Sequence, residues 1–292
     1  MEISSEFVGT RSRPFEIELT ARQTMNFAAG TGDPNPWYFA DERPEGILAP
    51  PMLAVALTWP ISEGFPHYWE QQDFPAEVLT RQVHYSQHLE WFRPMRPGDR
   101  LTIQGEVRAI LPHRAGTHLI IEYQATNPAG EKVFEERIGG LLRGVKCVGK
   151  GRGTDTLPAA PRPGSPDQAL WEKTLRIDLL AAHVYDGCAN IHFPIHSSVA
   201  FARRVGLPGT IYQGTATLSL AVRELINAEA AGDPRRLDAL SCLFTGMVLP
   251  GSEIRLCMTG RESVAGQTDL YFMVLNEEGK TAIRDGRLRL HS

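Results

Sequence analysis

The chain repeats itself once, faintly and in order, and that repeat limits its architecture more than any other feature. Residues 16–38, EIELTARQTMNFAAGTGDPNPWY, align without a gap to residues 174–196, TLRIDLLAAHVYDGCANIHFPIH. Thr20 then faces Asp178, each placed to cap a helix, and Thr20 with Gln23 has the capping-box form. Pro36 faces Pro194, Asp33 faces Ile191, and Tyr38 faces His196. Each copy continues into a Gly- or Pro-marked turn that opens an apolar helix: APPMLAVALTWPI at 49–61 and QGTATLSLAVRELI at 213–226. A Pro-Gly turn follows in each (Pro97-Gly98, Pro250-Gly251), then strand-like runs joined by turn-rich connections at Asn127–Gly130 and Asn276–Gly279. A repeat of domain-sized units predicts two similar folds in tandem.

The order within each copy is a leading strand, a short helix with a loop, a long apolar helix and an antiparallel meander. Such a helix is best buried by wrapping the sheet around it. The expected fold class is therefore α+β, a double hotdog: two halves, each an antiparallel sheet around a central apolar helix. The boundaries fall at 1–148 for the N-terminal half and 169–292 for the C-terminal half. Between them residues 149–168, GKGRGTDTLPAAPRPGSPDQ, are rich in Gly and Pro and read as an exposed linker.

Several function classes are excluded by composition. The net charge of −4 gives no basic footprint for nucleic acid. No apolar run is long enough to span a membrane, and the N-terminus lacks the apolar stretch of a secretory signal. Cys147, Cys188, Cys242 and Cys257 show no paired spacing, so neither a metal site nor a disulfide framework is expected. A cytoplasmic setting follows, with no metal and no cofactor. Cys188 lies near His196 in sequence, but a small buried residue explains it better than a nucleophile.

GTGDPNP, after its apolar run, resembles the signature of the MaoC-like, R-specific enoyl-CoA hydratases, in which G-D-x-N-P-x-H supplies a catalytic Asp and His. The stretch FPIHSSVAFARRVGLPGTIYQGTATLSLA resembles the remainder of that signature, and HYSQHLEWFRPMRPGDRLTIQGEV (84–107) the first half of double-hotdog dehydratases. The resemblance covers nearly the whole chain outside the linker. It implies a hydratase or dehydratase acting at the C2–C3 bond of an acyl thioester carried by CoA or by a carrier protein, with a homodimer as a possible assembly.

Neither copy keeps the whole signature. The first retains Asp33 and Asn35 but has Tyr38 where the His belongs; the second retains Pro194 and His196 but has Ile191 and Phe193 where Asp and Asn belong. His196 is the expected acid/base, because imidazole titrates near neutrality. Gly214, opening the second long helix, is the expected backbone donor to the thioester oxygen. Asp33 and Asn190 complete the catalytic candidates, although Asp33 also suits a plain turn. Asp186 is a second stand-in for the missing carboxylate, and His192 a second possible acid/base. Tyr185, His192, Gln213, Arg203 and Arg204 are expected around the substrate, the arginines for phosphate. Arg93 and Arg96 are alternatives for that role, and Trp59, Phe65, Trp69 and Trp91 for an acyl pocket, though packing serves these aromatics equally. The first long helix offers Thr58 as its polar side chain and no acid. A cyclase, an isomerase, a thioesterase and a non-catalytic acyl-binding subunit stay open beside the hydratase.

Overall fold

A computed structural model describes residues 1–69, 73–153, 165, 167 and 169–291. The repeat predicted from sequence is visible element by element. In the first half, β2 (Phe15–Glu18) leads into α1 (Ala21–Gly30), α2 (Pro36–Phe39), α3 (Ala54–Glu63), α4 (Phe65–Tyr68) and strands β3 (Gln82–Trp91), β4 (Arg100–His113), β5 (Gly116–Thr126) and β6 (Lys132–Arg143). In the second, β8 (Trp171–Arg176) leads into α5 (Ala181–Ala189), α6 (Pro194–Ser197), α7 (Val199–Arg204), α8 (Gly214–Glu229) and strands β9 (Leu237–Phe244), β10 (Glu253–Val264), β11 (Gln267–Leu275) and β12 (Thr281–His291). A short parallel pair, β1 (Glu2–Ser4) with β7 (Lys146–Val148), is peculiar to the first half.

The ten strands of the repeat form one continuous sheet, in the order β2-β4-β5-β6-β3-β9-β12-β11-β10-β8. Read outward from the β3–β9 junction, the two sides name equivalent strands in the same order. At the junction β3 and β9 pair antiparallel, with Leu89 opposite Leu240. Antiparallel pairing of equivalent strands is what a two-fold axis through the sheet produces. Helices α1 and α5 meet on the same axis. Phe27 and Tyr185, aligned in the repeat, touch with ring centroids 5.9 Å apart. Gly30 and Cys188, also aligned, come so close that a Cβ on Gly30 would lie 2.6 Å from the Cys188 Cβ. Residues equivalent in sequence are thus neighbours in space.

Local chemistry explains the elements. The Thr20–Gln23 capping box forms as expected. Asp178 does not cap α5 directly: the cap is Leu180, and the Asp178 carboxylate accepts the Leu180 N–H at 2.8 Å, tightening the turn one step earlier. The first long helix starts later than its apolar run, because Pro50 and Pro51 hold the chain in a 3-10 turn over Pro51–Leu53. The hairpin connections use the same device twice, the Asn127 side chain accepting from the backbone of Ala129 and Glu131, and the Asn276 side chain from Glu278 and Lys280. Of the expected linker, residues 154–164, 166 and 168 lie outside the described residues. Its start is held: Arg152 and Ile110 exchange backbone hydrogen bonds of 3.0 and 3.1 Å.

Candidate active site

In the second half, three pieces of chain converge. Helix α5 runs to Ala189, Asn190 takes a left-handed turn with φ 56°, and Pro194 opens α6, which carries His196. The segment before α8 then passes alongside. Ile211 donates its N–H to the Ile195 carbonyl at 3.2 Å, and the His196 Nδ1–H donates to the Ile211 carbonyl at 2.9 Å. A carbonyl can only accept, so Nδ1 carries the proton and Nε2 is left as the basic nitrogen of a neutral imidazole. Burial holds the His196 pKa below the ordinary value; the Ile211 bond and the Asp186 charge oppose that shift without cancelling it.

Gly214 is three residues beyond Ile211 and is the first residue of α8. Its N–H belongs to the unsatisfied first turn of a helix and donates to no group among the described residues. The structure gives a reason for the missing side chain: a Cβ at Gly214 would lie 3.2 Å from the Phe244 ring. One short segment, 211–214, thus runs from the carbonyl that holds His196 to the first residue of α8.

The remaining expected residues divide. Gln213 is 2% exposed and turns inward, its amide donating to the Ala182 carbonyl at 2.9 Å. Tyr185 is fully buried against Phe27, and its hydroxyl donates to Thr215 Oγ1 at 3.1 Å. His192 is exposed, its Nδ1 3.1 Å from Asp186 Oδ2 and its Nε2 2.9 Å from Asn190 Oδ1. Arg203 and Arg204 end α7 in solvent, Arg204 lying over the Phe201 ring. Arg93 is committed to a bidentate pair with Asp99 at 2.9 and 3.0 Å, and Arg96 to the Glu45 carbonyl at 2.7 Å, so both serve the fold. Trp59 reaches from α3 to Phe193 (centroids 6.4 Å apart), which in turn flanks His196 at 6.3 Å. Phe65 and Trp69 stack on each other in the core, and the Trp91 indole donates to the Pro51 carbonyl.

The first loop is built differently. Asp33 Oδ1 accepts the Asn35 N–H at 3.1 Å, and the Asn35 amide donates to the Gly232 carbonyl at 2.7 Å. Arg223 of α8 donates to the carbonyls of both Thr31 and Gly32 at 2.8 Å. Burial raises the Asp33 pKa, partly offset by the Asn35 N–H and by Arg223. Tyr38 is 1% exposed, and burial pushes its phenol well above its ordinary value. Asp33, Asn35 and Trp37 line an open cleft of about 410 Å³, but no histidine stands among its lining residues.

One group escaped the sequence reading. Thr58 of α3 is hydrogen-bonded to Glu136 of β6, whose other oxygen accepts the Gln87 amide at 2.8 Å. Thr58 Oγ1 also lies 3.2 Å from the Val55 carbonyl. Burial pushes the Glu136 pKa up to about 7, against the lowering effect of the hydrogen bonds from Thr58 and Gln87. In the pair Glu135–Glu136, strand alternation sends one side chain outward to Lys132 and Arg137 and the next inward. The sequence shows the pair but not which member faces α3.

Among the described residues no helix is long and apolar enough to cross a membrane. Family comparisons match residues 6–136 to the FAS1-like dehydratase domain region and residues 172–278 to the MaoC like domain. The 3-hydroxyacyl-thioester dehydratase Y of Mycobacterium tuberculosis is 27% identical over 264 residues, 87% of this chain and 86% of the relative. A fatty acid synthase subunit beta of Aspergillus oryzae is 42% identical over 94 residues, 32% of this chain, which spans 4% of that much longer protein. The crystal structure of a MaoC-like dehydratase from Phytophthora capsici superposes with a TM-score of 0.81 at 21% identity, over 97% of this chain and 96% of that one, and shares its fold. The chain thus carries a FAS1-like dehydratase region in its first half and a MaoC-like domain in its second, joined in one double-hotdog frame.

Proposed function

We propose that this chain adds water to, or removes it from, the C2–C3 bond of an acyl thioester, and that its second half performs the chemistry. The observation that carries this reading is the pairing of His196, its Nδ1 pinned to the Ile211 carbonyl, with the open N–H of Gly214 on the same segment. In hydration, the water oxygen bonds to C3 while His196 Nε2 takes one of its protons. The π electrons move toward the thioester oxygen, where the Gly214 N–H and the α8 dipole stabilise the enolate-like charge. The imidazolium then returns the proton to C2. Dehydration is the same path reversed.

Arg203 and Arg204 suit the phosphates of CoA or of a carrier-bound phosphopantetheine arm, being exposed and outside any ion pair among the described residues. Trp59 and Phe193 form an apolar wall beside His196 for the acyl group. The four cysteines are free, which suits a cytoplasmic setting. The test is a panel of enoyl and 3-hydroxyacyl thioesters, on CoA and on a carrier, followed by mass spectrometry. Gain or loss of one water on at least one member is expected. Binding without any mass change would instead favour an acyl-binding or cyclising role, the reading that Ile191 in place of a carboxylate keeps open.

A further inference from the structure

The second loop holds a histidine but no carboxylate at the position equivalent to Asp33, where Ile191 is 5% exposed. We propose that Asp186 supplies the missing carboxylate, its Oδ1 holding the reacting water against His196; this rests on the hydratase reading above.

Asp186 lies on the inward face of α5, with Ala182, Tyr185 and Ala189. Two contacts lock that helix to the site. Gln213 donates to the Ala182 carbonyl at 2.9 Å, and the His183 ring meets the Ser197 carbonyl at 3.3 Å. Ala182 and His183 are one helical turn before Asp186, and Ser197 follows His196 directly. The carboxyl group and the imidazole therefore share one junction, close enough that the Asp186 charge raises the His196 pKa.

The two oxygens of Asp186 differ. Oδ2 accepts from His192 Nδ1 at 3.1 Å, and the opposite side of that ring meets Asn190 Oδ1 at 2.9 Å, which fixes the plane of the carboxyl group. Oδ1 is buried and has no hydrogen-bond partner among the described residues. A buried carboxylate oxygen left without a donor is costly, and such groups in native proteins serve a water, an ion or a reaction. Here the donor is the water to be added. One of its hydrogens points to Asp186 Oδ1 and the other to His196 Nε2. The second passes to His196 and then to C2; the first stays on oxygen and becomes the product hydroxyl, so Asp186 ends as it began. His192 is a positioning residue, acting through Asp186.

The experiment compares Asp186→Asn, His192→Ala and His196→Ala on the best thioester of the panel. The amide introduced by Asp186→Asn retains an acceptor for His192 but loses the charge, so the fold should be unchanged by circular dichroism. Asp186→Asn should lower kcat about 10²-fold with KM nearly unchanged, the scale expected for a group acting on the reacting atoms. His192→Ala should cost several-fold less. Asp186→Asn turning over within about threefold of the parent, with His196→Ala inactive, overturns the role of Asp186 alone. Equal losses in Asp186→Asn and His192→Ala also overturn it, since Asp186 would then serve only to hold His192. A His196→Ala enzyme that keeps its turnover overturns the underlying site, and Asp186 with it.

Discussion

Proton transfer near neutral pH needs a side chain that titrates there, and this requirement separates the two loops. His196 meets it, whereas buried Tyr38 is pushed the wrong way. Because burial lowers the His196 pKa and catalysis needs a neutral Nε2, activity should persist below pH 6.5. The acidic limb of the kcat/KM profile checks this, and a midpoint above 6.5 would contradict it. Asp33 holds the Asn35 N–H, while Asn35 grips Gly232. Asp33→Asn keeps those bonds and should leave turnover within about threefold of the parent. His196 stands out in the sequence because proline, histidine and the later glycine sit at fixed offsets in one stretch. Asp186 was visible only as one of several polar neighbours. Which of its oxygens lacks a partner depends on how α5 packs on α6, and no pattern along the chain encodes that.

The core helices and strands carry a pH dependence of their own. Glu136 sits between α3 and β3, neutral when protonated, with its pKa raised from 4.5 to about 7. The protonated form is favoured by folding, so its contribution is intact below pH 4.5 and is lost as pH rises through about 7. At pH 8 the buried charge should cost on the order of 3 kcal/mol. Glu136→Gln keeps a donor for Thr58 and an acceptor for Gln87. It should leave stability near pH 4.5 unchanged and raise it at pH 8, as measured by urea unfolding at both values; a loss at pH 8 would show that the ionised form is the stabilising one. The strands and long helices were legible from alternation, apolar runs and turn residues. The 3-10 start before α3 was set by two prolines within an apolar run. The inward turn of Glu136 was hidden because a strand's period does not say which face is inside.

At the scale of the whole molecule, the two copies act as one body. They share a ten-stranded sheet, and on the two-fold axis Phe27 packs on Tyr185 while β3 pairs with β9. Separation would expose a sheet edge and an apolar helix face, so thermal unfolding should be a single transition. Two resolved transitions by calorimetry would mean that the halves fold independently. The repeat was legible because ungapped alignment survived in the loop and its helix; which strands join the halves, β3 with β9, and their register were not. Within this shared frame the proposed acid/base chemistry lies in the second loop, while the first loop docks on Gly232 and Arg223. Turnover of the parent, His196→Ala and Asp33→Asn on the best thioester tests that division most directly. The account predicts a loss of about 10²-fold or more for His196→Ala and near-parental turnover for Asp33→Asn, both folded. An inactive Asp33→Asn beside an active His196→Ala would place the working site in the first half and contradict it.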